Sequence, residues 1–160
     1  MPNQSIAGEK AWKSNPRIGS EAMVTGDFGE SFIAYLLSKE GIEVARASIV
    51  GFDLFVIDSK GTIFPKDKIV GISVKARISK KHKNFVPTIS MGSKKIEDSM
   101  RIWHVPAWIG VVVGSKEMKL EAYVFPYEEL KNLRSRAGTS DVLAVSQLNK
   151  NSSVRRLFPK

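Results

Sequence analysis

Two apolar runs of strand length between Gly51 and Arg77 carry charged residues that a strand with one buried face has little reason to contain. Asp53 interrupts the first run, and Lys75 follows Ser73 near the end of the second. Because successive side chains of a strand alternate between its faces, Ser73 and Lys75 share one face. If the two strands pair as neighbours, a carboxylate, a hydroxyl and an ammonium converge at one edge of a sheet. Such a group could hold a divalent cation and handle a phosphate.

The charge of the chain is concentrated in two basic segments. The chain has 160 residues and a formal net charge of +9. Lys75–Arg101 holds eight Lys and Arg against two acidic residues, and Lys131–Lys160 holds seven against one. A polyanion such as nucleic acid is the natural partner of such segments. The plainer alternative is that Lys-rich loops only keep the protein soluble.

Length and composition favour one globular domain. The chain is 42% hydrophobic and 26% charged, which is ordinary for a globular protein. It contains no cysteine, which fits a reducing cytoplasm and excludes disulfides and thiolate metal sites. We also find neither the apolar run of roughly 20 residues that a membrane helix needs nor the apolar core of a signal peptide. We predict a cytoplasmic protein with no membrane partner, a loose arm over residues 1–16 and a single domain over residues 17–160.

Periodicity predicts an alternation of helices and strands. A helix is expected to begin near Asp27, with Glu30 at the capping-box spacing, and to end at Gly41. A second helix is expected over Ser93–Trp103 with Ser93 as its N-cap. Strands are predicted over Ile42–Ala47, Phe52–Asp58, Lys68–Ala76, Ala107–Val113 and Glu121–Phe125, with a short helix from Pro126 to Leu130. The fully apolar run Ala107–Val113 is typical of a central strand that is buried on both faces.

This order, with Gly-Phe-Asp-Leu before Ser-Val-Lys, resembles the PD-(D/E)XK nuclease superfamily between Gly26 and Tyr127. The resemblance implies an α/β fold with a restriction endonuclease-like core, in which an α-β-β-β-α-β mixed sheet is flanked by helices. Members place an acid on the first helix, an Asp on the second strand and an acid-x-Lys motif on the third. Glu30, Asp53 and Lys75 match these positions, whereas Ser73 stands where the motif has an acid or Gln.

The resemblance implies a metal-dependent endonuclease that hydrolyses phosphodiester bonds of DNA. Its catalytic residues would be Glu30, Asp53, Ser73 and Lys75. Mg²⁺ or Mn²⁺ would be held by Glu30, Asp53 and the backbone carbonyl of Val74, and Lys75 would orient the attacking water or stabilise charge on phosphorus. The neutral hydroxyl of Ser73 is a poorer ligand than a carboxylate, so the site is either a variant or a decayed one.

DNA would be held mainly through its phosphates, by Arg77, Lys80, Lys81, Lys83, Lys94 and Lys95. A homodimer is possible. Two alternatives remain open: a catalytically inactive nucleic-acid-binding module of the same fold, and a basic domain that binds an acidic protein. Individual residues also have plainer explanations, such as a capping role for Glu30, a core or interface role for Trp103 and Trp108, and a helix-end role for His104.

Overall fold

The computed structural model describes residues 16–81, 83–135 and 141–160. It contains three α-helices and eight strands within those ranges. They are α1 (Pro16–Lys39), β1 (Glu43–Ile49), β2 (Phe52–Ile57), β3 (Ile69–Ile78), β4 (Thr88–Ser90), α2 (Ser93–Trp103), β5 (Ala107–Gly114), β6 (Leu120–Pro126), α3 (Leu130–Leu133), β7 (Val142–Ala144) and β8 (Arg155–Phe158). Short 3₁₀ segments lie at Tyr127–Glu129 and Val145–Lys150.

Six strands form one mixed sheet in the order β1-β2-β3-β5-β6-β8. Strands β3 and β5 are parallel, and every other neighbouring pair in this sheet is antiparallel. A parallel pair needs a crossover connection, which α2 provides between β3 and β5. The predicted fold class, a mixed sheet with α-β-β-β-α-β core order and flanking helices, is therefore confirmed.

Each face of this sheet has its own hydrophobic core. Ile33 and Leu37 of α1 pack on one face, against a cluster that includes Val74 and Ala76 of β3. Ile96 of α2 belongs to the cluster on the other face. Every residue of β5 is buried, and its alternate side chains enter the two cores. The prediction of a central strand buried on both faces is thus confirmed.

Helix α1 approaches β3 very closely at Gly29. A Cβ atom added at Gly29 would lie 2.5 Å from the Cβ of Ala76, closer than two carbons can approach without displacement. Only glycine permits this contact, because it has no side chain to separate the helix from the strand. The contact places the next residue, Glu30, close to the sheet.

The predicted start of α1 is wrong. The helix begins at Pro16, so Asp27 lies in its interior and forms no capping box with Glu30. Proline is favoured in the first helical turn, but residues 21–24 of the helix are all exposed, so this part of α1 lacks the buried apolar stripe that reveals a helix in a sequence. Met23 and Val24, for example, are exposed. The predicted arm over residues 1–16 lies outside the described residues except for Pro16.

Helix α2 has its predicted bounds, but its N-cap is Gly92 in the left-handed conformation rather than Ser93. The sequence also predicted no strand at β8, because its four residues include two arginines and only Leu157 is buried. Strand β4 pairs with β7 in a separate two-stranded sheet. Among the described residues, no helix is long and apolar enough to cross a membrane.

Candidate active site

A cleft of about 450 Å³ brings together the side chains that the sequence placed on two neighbouring strands. Asp53 of β2 lines it together with Ser73, Lys75 and Arg77 of β3. These β3 residues alternate with Val74 and its neighbours, which face α1, so the cleft lies on the face that α2 covers. Lys95 of α2 lines the same cleft. The expectation that Asp53 and Lys75 share one pocket is therefore correct.

Asp53 is held where β2 and β3 stop pairing. The paired residues run from Ile57 opposite Ile69 to Leu54 opposite Ile72, and Asp53 is the first residue of β2 beyond this pairing. Beyond that point the N–H group of Val74 donates to Asp53 Oδ2 at 2.6 Å, so a side chain replaces the partner strand's backbone. This bond fixes the carboxylate beside the backbone of β3. The carbonyl of Val74 remains a predicted ligand.

Ser73 is buried in the floor of the cleft with an unmet hydrogen bond. The residue is 1% exposed, and its Oγ has no hydrogen-bond partner among the described groups. A buried polar group without a partner costs roughly 1–3 kcal/mol. The hydroxyl therefore lies within the predicted constellation.

Glu30 does not line the cleft, but it lies within electrostatic reach of it. Burial raises the pKa of Glu30, and the nearby charge of Asp53 raises it further; Asp27 acts in the same direction, while Arg46 and Lys75 oppose the shift. Two carboxylates that repel each other across a short distance would both gain from a cation between them. Arg46 could not be predicted from sequence, because nothing in the residue spacing relates β1 to α1.

Few side chains near the cleft could coordinate a metal ion. Within the described ranges, no three or more His, Cys, Asp and Glu side chains are grouped so that they could hold a metal ion. Mg²⁺ commonly keeps several of its waters and needs only one or two carboxylates when substrate phosphates supply the rest. Asp53, with Glu30 near it and an unsatisfied hydroxyl at Ser73, fits a weakly held ion of this kind.

The predicted DNA-binding residues divide among three places. Arg77 lines the main cleft and also an adjoining cleft of about 380 Å³, which Lys80 and Lys81 line. Lys80 is paired with Glu21 of α1 at 2.7 Å. Lys95 lines the main cleft, and its neighbour Lys94 is exposed on α2. Lys83 borders a different cleft, so the structure does not bring it to the predicted site.

Asp58 has a structural role outside the site. It is buried and accepts hydrogen bonds from the N–H groups of residues 60, 61, 63 and 64 and from the hydroxyl of Thr62. Although burial opposes ionisation, these donors lower the pKa of Asp58 to about 2. The carboxylate thus organises the turn that connects β2 to β3.

The plainer interpretations of His104 and Trp108 are also confirmed. His104 is the left-handed C-cap of α2, with a φ of 52°. Trp108 is buried in the α1-side core, where its ring packs edge-on against Phe64. Trp103 packs its ring against Phe55. It is 49% exposed, so a core role for it is wrong, and an interface role stays a prediction.

Comparison with known proteins finds similarity at the level of structure alone. No protein-family model matches the chain, and no curated protein matches it. A solved structure of Hjc, a Holliday junction resolvase from the archaeal hyperthermophile Archaeoglobus fulgidus, is similar with a TM-score of 0.47 and 15% sequence identity. The likeness covers 76% of this chain and 84% of that one. At such values a likeness carries no information about substrate or activity.

Proposed function

We propose that this chain is a metal-dependent endonuclease that hydrolyses phosphodiester bonds of DNA in the cleft between Asp53 and Lys75. The proposal rests chiefly on one observation: Asp53, Ser73, Lys75 and Arg77 line a single cleft although they come from two strands. A carboxylate beside an ammonium, with further cations next to them, suits the cleavage of a phosphate ester.

Asp53 and Glu30 would hold Mg²⁺ or Mn²⁺, and the carbonyl of Val74 would complete the protein ligands. The bound ion would polarise a phosphoryl oxygen and lower the pKa of a coordinated water. Val74 N–H keeps Asp53 oriented through its bond to Oδ2. Lys75, half buried on the same cleft wall, would stabilise the negative charge that develops on phosphorus.

The substrate backbone would continue from the main cleft into the adjoining one. Arg77 borders both clefts, so a strand that places one phosphate at Lys75 can place another near Arg77. Lys80, Lys81 and Lys94 would add contacts to neighbouring phosphates. Because such contacts release counterions, binding should weaken steeply as salt rises.

The test is nicking of supercoiled plasmid in Mg²⁺ or Mn²⁺ by the wild type and by Asp53→Asn and Lys75→Met. Both substitutions keep the approximate shape of the side chain, and both should abolish nicking. Asp67→Asn is the matched control, because Asp67 is exposed and lies outside the cleft. Nicking that persists in Asp53→Asn would refute the proposal.

A second candidate function is DNA binding without cleavage. The observation that favours it is Ser73, since a hydroxyl replaces a charged ligand and no cluster of three acidic or histidine side chains is available within the described residues. Salt-dependent DNA binding with no nicking would support this candidate. Failure to bind DNA at low salt would instead favour a domain that binds an acidic protein.

Ser73→Glu tests whether Ser73 belongs to the metal shell. A carboxylate at this position would add a third negative ligand beside Asp53, so we expect tighter binding of Mn²⁺, measured by titration calorimetry. An unchanged Mn²⁺ affinity in a folded Ser73→Glu variant would place residue 73 outside the shell.

A further inference from the structure

The unmet hydroxyl of Ser73 indicates that the floor of the cleft is prepared for a polar ligand atom. Ser73 is 1% exposed and its Oγ lacks a partner among the described groups. A ligand that supplies an acceptor, directly or through one water, would recover the hydrogen bond that folding leaves unmade. Lys75, two residues along the same strand face, is flexible enough to admit such an atom.

The charges that line the cleft favour an anion. Three cations, Lys75, Arg77 and Lys95, face one carboxylate, Asp53. None of these cations forms an ion pair with any residue in the described ranges. The carboxylate is itself partly satisfied, because Asp53 Oδ2 accepts the N–H of Val74.

The helix terminus next to the cleft has two of its N–H donors occupied. Gly92 borders the cleft at the start of α2, but Asp141 already accepts the N–H groups of Gly92 and Ser93, each at 2.9 Å. The cationic side chains of the lining are therefore the main source of attraction for an anion. Since the lining cations exceed the lining carboxylate by two charges, the best match is a dianion.

A terminal phosphate of a nucleic acid strand has these properties. A phosphomonoester carries a charge of about −1.5 to −2 near neutral pH and offers three acceptor oxygens, whereas a bridging phosphodiester carries only one charge. The cleft of about 450 Å³ lies within the ordinary range for a small-ligand site.

We propose that this cleft, in the absence of a divalent metal, is a binding site for the phosphomonoester end of a nucleic acid strand. Ser73 and the ammonium of Lys95 would contact the terminal phosphate, with Lys75 and Arg77 beside them. This inference rests on the proposed function for the identity of the substrate, and it adds recognition of strand ends to that function. Asp53 would oppose the phosphate until a cation neutralises it.

The experiment measures binding of fluorescent single-stranded oligonucleotides in EDTA at fixed salt. Three versions of one sequence carry a 5′-phosphate, a 3′-phosphate or hydroxyl groups at both ends. We expect at least one phosphorylated version to bind about fivefold more tightly than the hydroxyl version, which is the effect of one net hydrogen bond. The version that binds best identifies the end that the cleft accepts.

The variants separate this site from general attraction to DNA. Ser73→Ala and Lys95→Ala should each remove most of the preference for a phosphorylated end. Lys68→Ala is the control, because Lys68 is exposed and lies outside the cleft, and it should leave the preference unchanged. Equal affinity for all three ends, or a preference that survives both cleft variants, would overturn the inference.

Asp53→Asn distinguishes the failure of this inference from failure of the proposed function. Removing the carboxylate charge should strengthen binding of the phosphorylated end in EDTA, whereas it should abolish metal-dependent nicking. Weaker end binding in this variant would refute the anion site. If the wild type nicks DNA but shows no preference for a phosphorylated end, only the phosphate-end site is refuted. If it prefers a phosphorylated end but does not nick DNA, cleavage is refuted and the phosphate-end site stands.

Discussion

Ser73→Ala should stabilise the protein, although most substitutions of buried residues destabilise. The change deletes one oxygen atom from a side chain that is 1% exposed, and that oxygen makes no hydrogen bond with a described group. Alanine removes the unmet polar atom, whose burial costs roughly 1–3 kcal/mol, and it leaves only a small void in return. We expect a net gain of about 1 kcal/mol, or about 2–4 °C in Tm for a chain of this size.

Ser99→Ala is the matched control on the neighbouring helix. Ser99 is also buried, at 3% exposure, but its hydroxyl donates to the carbonyl of Val50 in the turn before β2. Removing this donor leaves the carbonyl without that hydrogen bond, so we expect a loss of about 1 kcal/mol. The same chemical change should therefore have opposite effects at the two serines.

The assay is urea unfolding followed by circular dichroism, with the two variants and the wild type measured together at pH 7. The dependence of the unfolding free energy on urea concentration should be the same for all three proteins, so that differences between their urea midpoints report differences in stability. If Ser73→Ala is as destabilising as Ser99→Ala, the hydroxyl of Ser73 has a structural partner. Ser73 would then have no unmet hydrogen bond to offer a ligand.

Three further outcomes test how the site is positioned. Gly29→Ala should destabilise the protein by about 1–3 kcal/mol, because the added methyl group would collide with β3. A methyl group at Gly26 meets nothing within 4 Å, so Gly26→Ala should stabilise the protein by up to about 1 kcal/mol. Equal effects of the two substitutions in thermal unfolding would contradict the close contact between the helix and β3. Glu30→Gln should raise Tm at pH 7, because the raised pKa of wild-type Glu30 means that its ionised form destabilises the folded state. This gain in Tm should vanish as the pH falls below 4.5, where Glu30 is protonated in both states. A gain that does not depend on pH would refute this reasoning. Asp58→Asn should destabilise the protein by about 2 kcal/mol at pH 7, since the pKa of Asp58 drops from 3.8 to about 2 on folding. The stability that wild-type Asp58 contributes should be lost as the pH falls towards 2. Asp67→Asn should change the free energy of unfolding by less than about 0.5 kcal/mol, so similar urea midpoints for the two variants would contradict the turn's dependence on Asp58.

The periodic elements could be predicted from sequence because burial alone determines their pattern. Strand β5 is apolar at almost every position and is buried at every position. Helix α2 shows its apolar stripe through residues such as Ile96, which is buried. The shared face of Ser73 and Lys75 followed from the two-residue period of a strand, and the structure has both lining one cleft.

The remainder depended on contacts between distant segments. Nothing local shows that Asp141 completes the start of α2, because the two lie 48 residues apart in sequence. The end of the β2–β3 ladder at Asp53 is equally hidden, since the carboxylate takes a backbone donor that a regular strand would have used. The early start of α1 was not predicted because residues 21–24 of the helix are exposed and form no buried apolar stripe.

The charge balance at the cleft links the two proposals. With Ser73 in the floor, the lining has one carboxylate against three cations, so anions are favoured when no metal is present. Burial and, after it, repulsion by Asp53 raise the pKa of Glu30. A divalent ion bound beside the two carboxylates would relieve this repulsion and would add positive charge next to the phosphate. An acid at position 73 would bind that ion more tightly and would weaken the attraction for a free phosphate end. Under these two proposals, the serine would weaken metal binding at the cleft and favour recognition of phosphate.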